Sequence, residues 1–254
     1  MTESEPGVVL RELVSAEELA VLPHFERRVW GGGAEAVSVN MLVATITEGG
    51  MAIGAFDGER IVGAVYGFPT REPEVLHSHY MAVDPAHRRR GLAVALKQAQ
   101  RAWCLQHGFT AMRWTYDPLQ VANAHLNLRV LGAVGITYHR NHYGVLGGIN
   151  GSLPSDRITV RWDLDSTPLR STDRVRNVHV PELAPDAIAT SSPEALAARQ
   201  VLRDRLAPLM DEGWRLVDVD RDARTYTLTA GAPAAPTPTP AIMSAHEPYV
   251  RSMC

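Results

Sequence analysis

The stretch from Val83 to Arg101 reads VDPAHRRRGLAVALKQAQR and carries the most distinctive pattern of the chain. It follows an apolar run, VLHSHYMAV (75–83), and leads through Asp84-Pro85, three arginines and Gly91 into an amphipathic segment. A strand, a short loop and a helix that begins after Gly91 would bring unpaired backbone N–H groups and the positive end of a helix dipole to one point. Such a point binds anions, and the arginines add charge beside it. The stretch therefore predicts an anion site suited to a pyrophosphate.

Composition limits the functions that this site can serve. The chain has 254 residues, 45% apolar side chains and a formal charge of −3, which is typical of a globular protein and excludes nucleic-acid binding by bulk charge. Cys104 and Cys254 provide neither a disulfide framework nor a zinc spacing, so we expect no metal. The N-terminus lacks a signal-peptide pattern, and no window approaches the ~20 apolar residues of a membrane span. We therefore expect a cytoplasmic protein without nucleic-acid or membrane partners.

Strand and helix patterns alternate along the chain. Residues 8–13, 75–83, 110–116, 132–144 and 156–164 read as strands, and 51–69 reads as a hairpin around Asp57-Gly58. Helices are predicted for 15–30, with a capping box at Ser15 and Glu18, for the segment after Gly91, and for 120–131. In the second of these, Lys97 and Arg101 are expected off the apolar face. Beyond Ser166 the pattern predicts a helix at about 193–211 and a closing hairpin, 214–229.

The segment Arg88-Arg89-Arg90-Gly91-Leu92-Ala93 resembles the Arg/Gln-x-x-Gly-x-Gly/Ala signature of the GNAT acyltransferases, in which this loop holds the pyrophosphate of coenzyme A. The order of strands and helices agrees over residues 8–165. A closer resemblance, through SHYMAV, LKQAQR, WTYDPLQVANAHLN and SLPSDRITVRW, is to a GNAT subgroup encoded beside N-acylamino-acid racemases, to which N-succinylation of amino acids has been assigned. This resemblance extends to about Leu228.

The resemblance implies an α+β, three-layer GNAT fold, with a mixed and largely antiparallel sheet between helices and a C-terminal α/β extension. We expect an acyl-CoA-binding core at 1–165, an extension packed on it at 166–230, and a disordered tail rich in Pro, Ala and Thr at 231–254. The expected co-substrate is acetyl-CoA or succinyl-CoA. The residues expected to bind it are Met81, Ala82, Val83, Arg88, Arg89, Arg90, Gly91, Leu92, Ala93 and Asn123.

The catalytic residues are predicted from the two strands that splay apart in GNAT folds, here HSHYMAV and AMRWTY. His79 is the first candidate for the base that takes the proton of the attacking amine, and His77, two residues earlier, remains an alternative that also lies in the predicted substrate site. Many GNAT enzymes carry a tyrosine acid where this chain has Leu128. Tyr138 or Tyr143 is therefore a candidate for the acid, although either residue could instead serve core packing.

Two classes of function remain open at this point. The first is an acyl-CoA-dependent N-acyltransferase that acts on a small amine or amino acid, and the second is a non-catalytic acyl-CoA-binding regulatory or scaffold protein. Acetylation of protein N-termini or lysines fits the fold but not the closer resemblance. A substrate carboxylate would require a cation, for which Arg113, Arg140 and Arg157 are candidates. A homodimer is compatible with all of these alternatives.

Overall fold

The computed structural model describes residues 7–31, 36–146, 151–165 and 174–230, which contain one ten-stranded sheet and six α-helices. The strands are β1 (Val8–Glu12), β2 (Met51–Asp57), β3 (Arg60–Pro69), β4 (Val75–Val83), β5 (Ala111–Tyr116), β6 (Val134–His139), β7 (Arg157–Asp163), β8 (Val175–His179), β9 (Trp214–Asp220) and β10 (Thr225–Ala230). The helices are α1 (Ala16–Leu19), α2 (Val21–Trp30), α3 (Val39–Thr47), α4 (Leu92–Gln106), α5 (Val121–Ala124) and α6 (Pro193–Asp211).

The sheet is mixed and mostly antiparallel. Its strand order is β1-β2-β3-β4-β5-β7-β6-β9-β10-β8, and of the neighbouring pairs only β4 and β5 run parallel. The helices α1 to α3 pack over β2, β3 and β4 on one face, whereas α4 and α6 pack on the other. This arrangement confirms the predicted fold class.

Three local elements differ from the sequence prediction. The helix predicted from Ser15 breaks at Ala20, because Pro23 has no N–H to bond the carbonyl of Leu19. The helix α3 was not predicted, since β-branched residues dominate it; its N-terminus is capped by the Ser38 hydroxyl, which accepts from the Met41 N–H at 3.3 Å. Strand β8 was also missed, because it is an edge strand with largely exposed side chains.

The strands β4 and β5 separate soon after they meet. They pair only from Val75 with Ala111 to His77 with Arg113, so a V-shaped gap opens between them toward their C-terminal ends. A bulge in β4 lies beside this gap, because Ser78 pairs with Gly67 and Tyr80 with Tyr66, which leaves His79 as the extra residue. The edge of β4 that faces β5 therefore has no ladder partner beyond His77, and its main-chain groups can bind a ligand.

Residues 174–230 continue the same sheet and core. Strand β9 pairs with β6 at Leu216 and Gly135, where a side chain on Gly135 would place its Cβ 2.8 Å from the Cβ of Leu216. The side chains of β9, β10 and α6 belong to the same apolar cluster as those of α4 and β5. The boundary predicted at residue 165 stays a prediction; the structure shows one sheet and a shared apolar cluster on both sides of it.

Two pairs of ionic hydrogen bonds attach α6 to the strand ends. Arg199 donates to both carboxylate oxygens of Asp117, at 3.1 and 2.7 Å, and both side chains are buried. One turn later, Arg203 donates to both oxygens of Asp156, at 2.8 and 2.6 Å. Asp117 directly follows β5, and Asp156 directly precedes β7, the neighbour of β5 in the sheet. The helix α6 is therefore attached to the ends of two neighbouring strands.

In the part of the chain that the structure describes, no helix combines the length and hydropathy needed to cross a membrane. The predicted tail, 231–254, lies outside the described residues.

Candidate active site

The loop before α4 has the geometry that the sequence predicts for an anion site. Gly91 is the N-cap of α4 with φ of 81°, a left-handed conformation that favours glycine, and among the described residues no side chain caps this helix end. Arg88 braces the loop, because its Nε donates to the carbonyl of Val83 at 3.2 Å. Arg89, with φ of 64°, and Arg90 are exposed beside it. The N–H groups of the first turn, including those of Leu92 and Ala93, thus face the mouth of the gap at the end of β4.

The sheet face opposite α4 carries a connected group of polar and aromatic side chains from β4 to β6, which we call the open face. On β4, the rings of His77 and His79 lie 5.9 Å apart and both contact Phe68. The chain of contacts then reaches β5 and β6 through the pairs Arg113–Glu72 (2.7 Å), Tyr143–Thr115 (3.1 Å), His142–Tyr143 (4.4 Å) and His139–His142 (4.5 Å). The open face therefore flanks the gap with several groups that can accept a proton.

The two histidines of β4 differ in basicity. Burial lowers the pKa of His77 to about 4, with further lowering by the nearby charges of His79 and Arg113. Burial also lowers the pKa of His79, although this residue, at the bulge, is more exposed than His77. Both rings are therefore neutral at pH 7 and able to accept a proton, and His79 is the more accessible of the two.

The two tyrosines proposed as acids lie on different sides of the sheet. Tyr138 is 4% exposed, packs in the α6-side core and donates to Asp156 at 2.6 Å. Burial and the Asp156 carboxylate raise its pKa, so the hydroxyl is a structural donor in this position. Tyr143 lies on the open face, is 45% exposed and shares a hydrogen bond with Thr115. Of the two tyrosines, Tyr143 is therefore the one that lies on the same face as the histidines, next to His142.

The three arginines proposed to recognise a carboxylate are also dispersed. Arg113 lies beside His77 at the closed end of the gap and pairs with Glu72. Arg140 instead pairs with Asp211 at the C-terminal end of α6, at 2.9 Å. Arg157 is 7% exposed and lies 3.6 Å from Asp117, with the ring of Tyr143 5.7 Å away. Of the three, Arg113 is the best placed for a substrate on the open face.

Asn123 and Asn127 lie on opposite sides of the start of a π-helical turn and differ in exposure. Residues His125–Val130 continue α5 as a π-helix. Asn123 is exposed, whereas Asn127 is buried and accepts from the indole N–H of Trp114 at 3.2 Å. Asn123 therefore remains available to a bound molecule, while Asn127 supports the core under β5. Leu128, at the position of the family's tyrosine, is buried in that core.

Lys97, which the sequence pattern predicts off the apolar face of α4, is instead buried. The side chain is only 2% exposed, and Nζ donates to Ser78 Oγ at 2.8 Å and to Gln100 Oε1 at 3.0 Å. Nζ also lies 3.8 Å from the centre of the Trp114 ring. Because Ser78 and Trp114 are the first residues beyond the paired part of β4 and β5, the ammonium group occupies the apex of the gap. The periodicity of α4 does not predict this position, because it depends on where β4 and β5 separate.

Within residues 7–31, 36–146, 151–165 and 174–230, no group of three or more His, Cys, Asp or Glu side chains could hold a metal ion. The histidine pairs of the open face are therefore interpreted as proton acceptors or hydrogen-bonding groups.

A loop at a helix start, joined to two splayed parallel strands, is the arrangement that the sequence resemblance predicts. A model of the Acetyltransferase (GNAT) family matches residues 16–133, and the chain has the GNAT fold. No curated protein matches the chain.

Solved structures agree in fold. The ribosomal-protein-S18-alanine N-acetyltransferase from Escherichia coli is 17% identical, with 66% of this chain and 98% of that chain covered and a TM-score of 0.51. YncA from Salmonella typhimurium, solved with its cofactor acetyl-CoA, is 15% identical, covering 65% and 98%, with a TM-score of 0.51. The ribosomal-protein-S5-alanine acetyltransferase from Vibrio fischeri is 15% identical, covering 65% and 97%, with a TM-score of 0.52. At these low sequence identities, the structural comparison shows similarity of fold alone.

Proposed function

We propose that the protein is an N-acyltransferase that moves an acetyl or succinyl group from coenzyme A to the amine of a small molecule. The observation that carries the proposal is the coincidence of the uncapped α4 N-terminus, Gly91 and the opening between β4 and β5. The match of residues 16–133 to the GNAT family model supports acyl-CoA as the donor, and the similarity in fold to YncA, solved with acetyl-CoA, is consistent with it.

The residues present fit coenzyme A. In the proposed complex, the first-turn N–H groups of α4 and the arginine loop 88–90 bind the pyrophosphate. The pantetheine arm lies in the gap along Met81, Ala82 and Val83, with Asn123 within reach from the other side. A main-chain N–H on the unpaired edge of β4 polarises the thioester carbonyl.

Acyl transfer then requires proton movements that the open face can supply. The neutral amine attacks the thioester carbon, a C–N bond forms, and the C–S bond breaks with its electrons passing to sulfur. His79 is the proposed base for the excess proton of the amine, because its ring is neutral at pH 7 and borders the gap. His77, with a pKa of about 4, is proposed to shape the amine site instead.

The acceptor is proposed to be a free amino acid or another small amine with a carboxylate. Arg113 supports this assignment, since it lies on the open face next to His77 and can exchange Glu72 for a substrate carboxylate. The alternative, a non-catalytic acyl-CoA-binding protein, finds support in Leu128 at the usual tyrosine position and in the additional segment after Ser166. The closer resemblance to the racemase-associated subgroup stays a prediction.

Release of free coenzyme A thiol separates these alternatives. We expect turnover of acetyl-CoA or succinyl-CoA with some members of a panel of amino acids, their methyl esters and short peptides. Equal rates with acids and esters would exclude carboxylate recognition on the acceptor. Binding of acyl-CoA without thiol release from any amine would favour the non-catalytic alternative.

The cofactor site is tested by Gly91→Glu, which places a carboxylate where the pyrophosphate is expected. Gly108→Glu is a matched control, because Gly108 follows the other end of α4 with the same φ of 81° and has no atom within 4 Å of an added Cβ. We expect calorimetry to show at least a tenfold weaker affinity for coenzyme A in Gly91→Glu and little change in Gly108→Glu. Equal affinity in Gly91→Glu and the parent would mean that the anion site is wrongly assigned.

A further inference from the structure

Lys97 is the only lysine in the chain; all other basic side chains among the 25 Lys and Arg residues are arginine. Arginine stays protonated in proteins, whereas a buried lysine can lose its proton near neutral pH. The one cation able to titrate in this way is thus the one placed at the apex of the gap between β4 and β5. This placement suggests that the site uses a proton rather than a fixed charge.

The surroundings of Lys97 make it a weak base. Burial lowers its pKa to about 7, and among the described residues no carboxylate forms an ion pair with it. The other titratable groups that influence this site keep their state near neutrality: burial raises the pKa of Cys104 on α4 to about 12, and His77 on β4 has a pKa of about 4. Lys97 is therefore the group at the apex that changes charge between pH 6 and 9.

We propose that the Lys97 ammonium is the general acid that protonates the departing coenzyme A thiolate. The inference rests on the proposed acyltransferase function, which brings the thioester to the closed end of the gap. The predicted mechanism otherwise lacks a general acid. Leu128 is apolar, Tyr138 is bound to Asp156 on the α6 side, and Tyr143 lies on the open face.

The proton balance is complete. When the C–S bond breaks, the sulfur takes one proton from Lys97 Nζ, and the lysine is left as a neutral amine that keeps a hydrogen bond to Ser78 or Gln100. The free thiol leaves with coenzyme A, and Nζ regains a proton from solvent before the next turnover. A thiol has an unperturbed pKa of about 8.5, close enough to that of the buried lysine for efficient transfer.

The test compares the parent with Lys97→Met, which keeps the length of the side chain and removes its proton. With acetyl-CoA and a single amine, we expect the ratio of the parent kcat to the variant kcat to be about 100 near pH 6.5. The ratio should fall about tenfold per pH unit above the pKa of Lys97, since the parent then loses its acid. Protonation of the amine and of His79 affects the kcat of both proteins in the same way, so it cancels in this ratio. Gln98→Met, at an exposed position of the same helix, should give a ratio near one throughout.

Selective ¹³C labelling of lysine gives a second readout, because the chain has a single lysine resonance to follow by NMR. We expect its Cε signal to titrate near neutral pH in the parent. Titration near the ordinary value of about 10.4 would overturn the proposal. This measurement does not depend on the activity or folding of any variant.

The kinetic outcomes are equally decisive. A ratio that does not change with pH indicates a structural role, and a defect confined to succinyl-CoA indicates that Lys97 binds the donor carboxylate; either result overturns the acid. If the parent fails to bind acyl-CoA in calorimetry, the proposed function fails and this inference fails with it. If parent and variant bind acyl-CoA alike and have equal kcat, only the inference fails.

Discussion

At the residue scale, a bulge in β4 places His77 and His79 in different environments. The bulge at His79 leaves its ring exposed beside the gap, whereas His77 lies in the paired part of β4 and is more buried. Spacing in the sequence puts both on one face and cannot rank them. The difference in exposure makes His79 the better placed base.

We expect His79→Ala to lower kcat about 100-fold while the affinity for acyl-CoA stays within twofold, because a base acts on the reaction and not on cofactor binding. In the parent, kcat should decrease as the pH falls through the lowered pKa of His79, since the ring then carries a proton and cannot accept another. The variant should lack this acidic limb. A pH–rate profile of both proteins checks the prediction, with His24→Ala, at an exposed position of α2, as control. An acidic limb that persists in His79→Ala would assign the base elsewhere.

At the element scale, α6 acts as a brace for the splayed strand. Its arginines, one turn apart, hold Asp117 at the end of β5 and Asp156 before β7. Asp117 also accepts from the N–H of Leu119 at 2.9 Å, so the same carboxylate shapes the entry to α5. The sequence predicts α6 from its periodicity, but the partners of its arginines come from segments more than 40 residues away and follow only from packing.

Arg199→Met should reduce the free energy of unfolding by about 3 kcal/mol, because it leaves the buried Asp117 carboxylate with Arg157, 3.6 Å away, as its remaining cationic partner among the described residues. Adding Asp117→Asn should recover part of the loss, since the amide keeps an acceptor for Leu119 and carries no charge. Arg205→Met, at an exposed position of α6, should change stability by less than about 0.5 kcal/mol. Urea unfolding measures all three. A loss below about 1 kcal/mol in Arg199→Met would show that the brace contributes little to stability.

At the scale of the whole molecule, the sheet extends through β10 and β8, and residues 174–230 share its core. Tyr226 illustrates the connection, since it is fully buried on β10 and its hydroxyl donates to the carbonyl of Pro118 at 2.9 Å. The extension thereby supports the loop between β5 and α5. The composition of residues 231–254 predicts that this segment does not contribute to the core.

We expect deletion of residues 231–254 to leave the melting temperature and kcat unchanged, because Pro, Ala and Thr dominate the first part of this segment and offer little apolar surface. Deletion from Thr225 onward is the contrasting variant, since it removes β10 and Tyr226 and should abolish cooperative unfolding. Thermal scans and thiol-release assays of both truncations test the difference. A fall of several degrees on removal of 231–254 alone would show that the segment docks on the protein.

Most of the local elements can be predicted from the sequence alone. Alternating and helical periodicities identify most strands and helices, and the order strand, arginines, Gly91, helix predicts the loop geometry at the start of α4 because that geometry is local. The tertiary structure alone decided which side chains meet in the gap. Lys97 changes from an expected surface residue to the buried group at the apex, and Tyr138 and Arg140 turn to the α6 side. The physical reason is that the splay of β4 from β5, the bulge at His79 and the π-turn at 125–130 depend on packing between distant segments, which periodicity within one segment does not record.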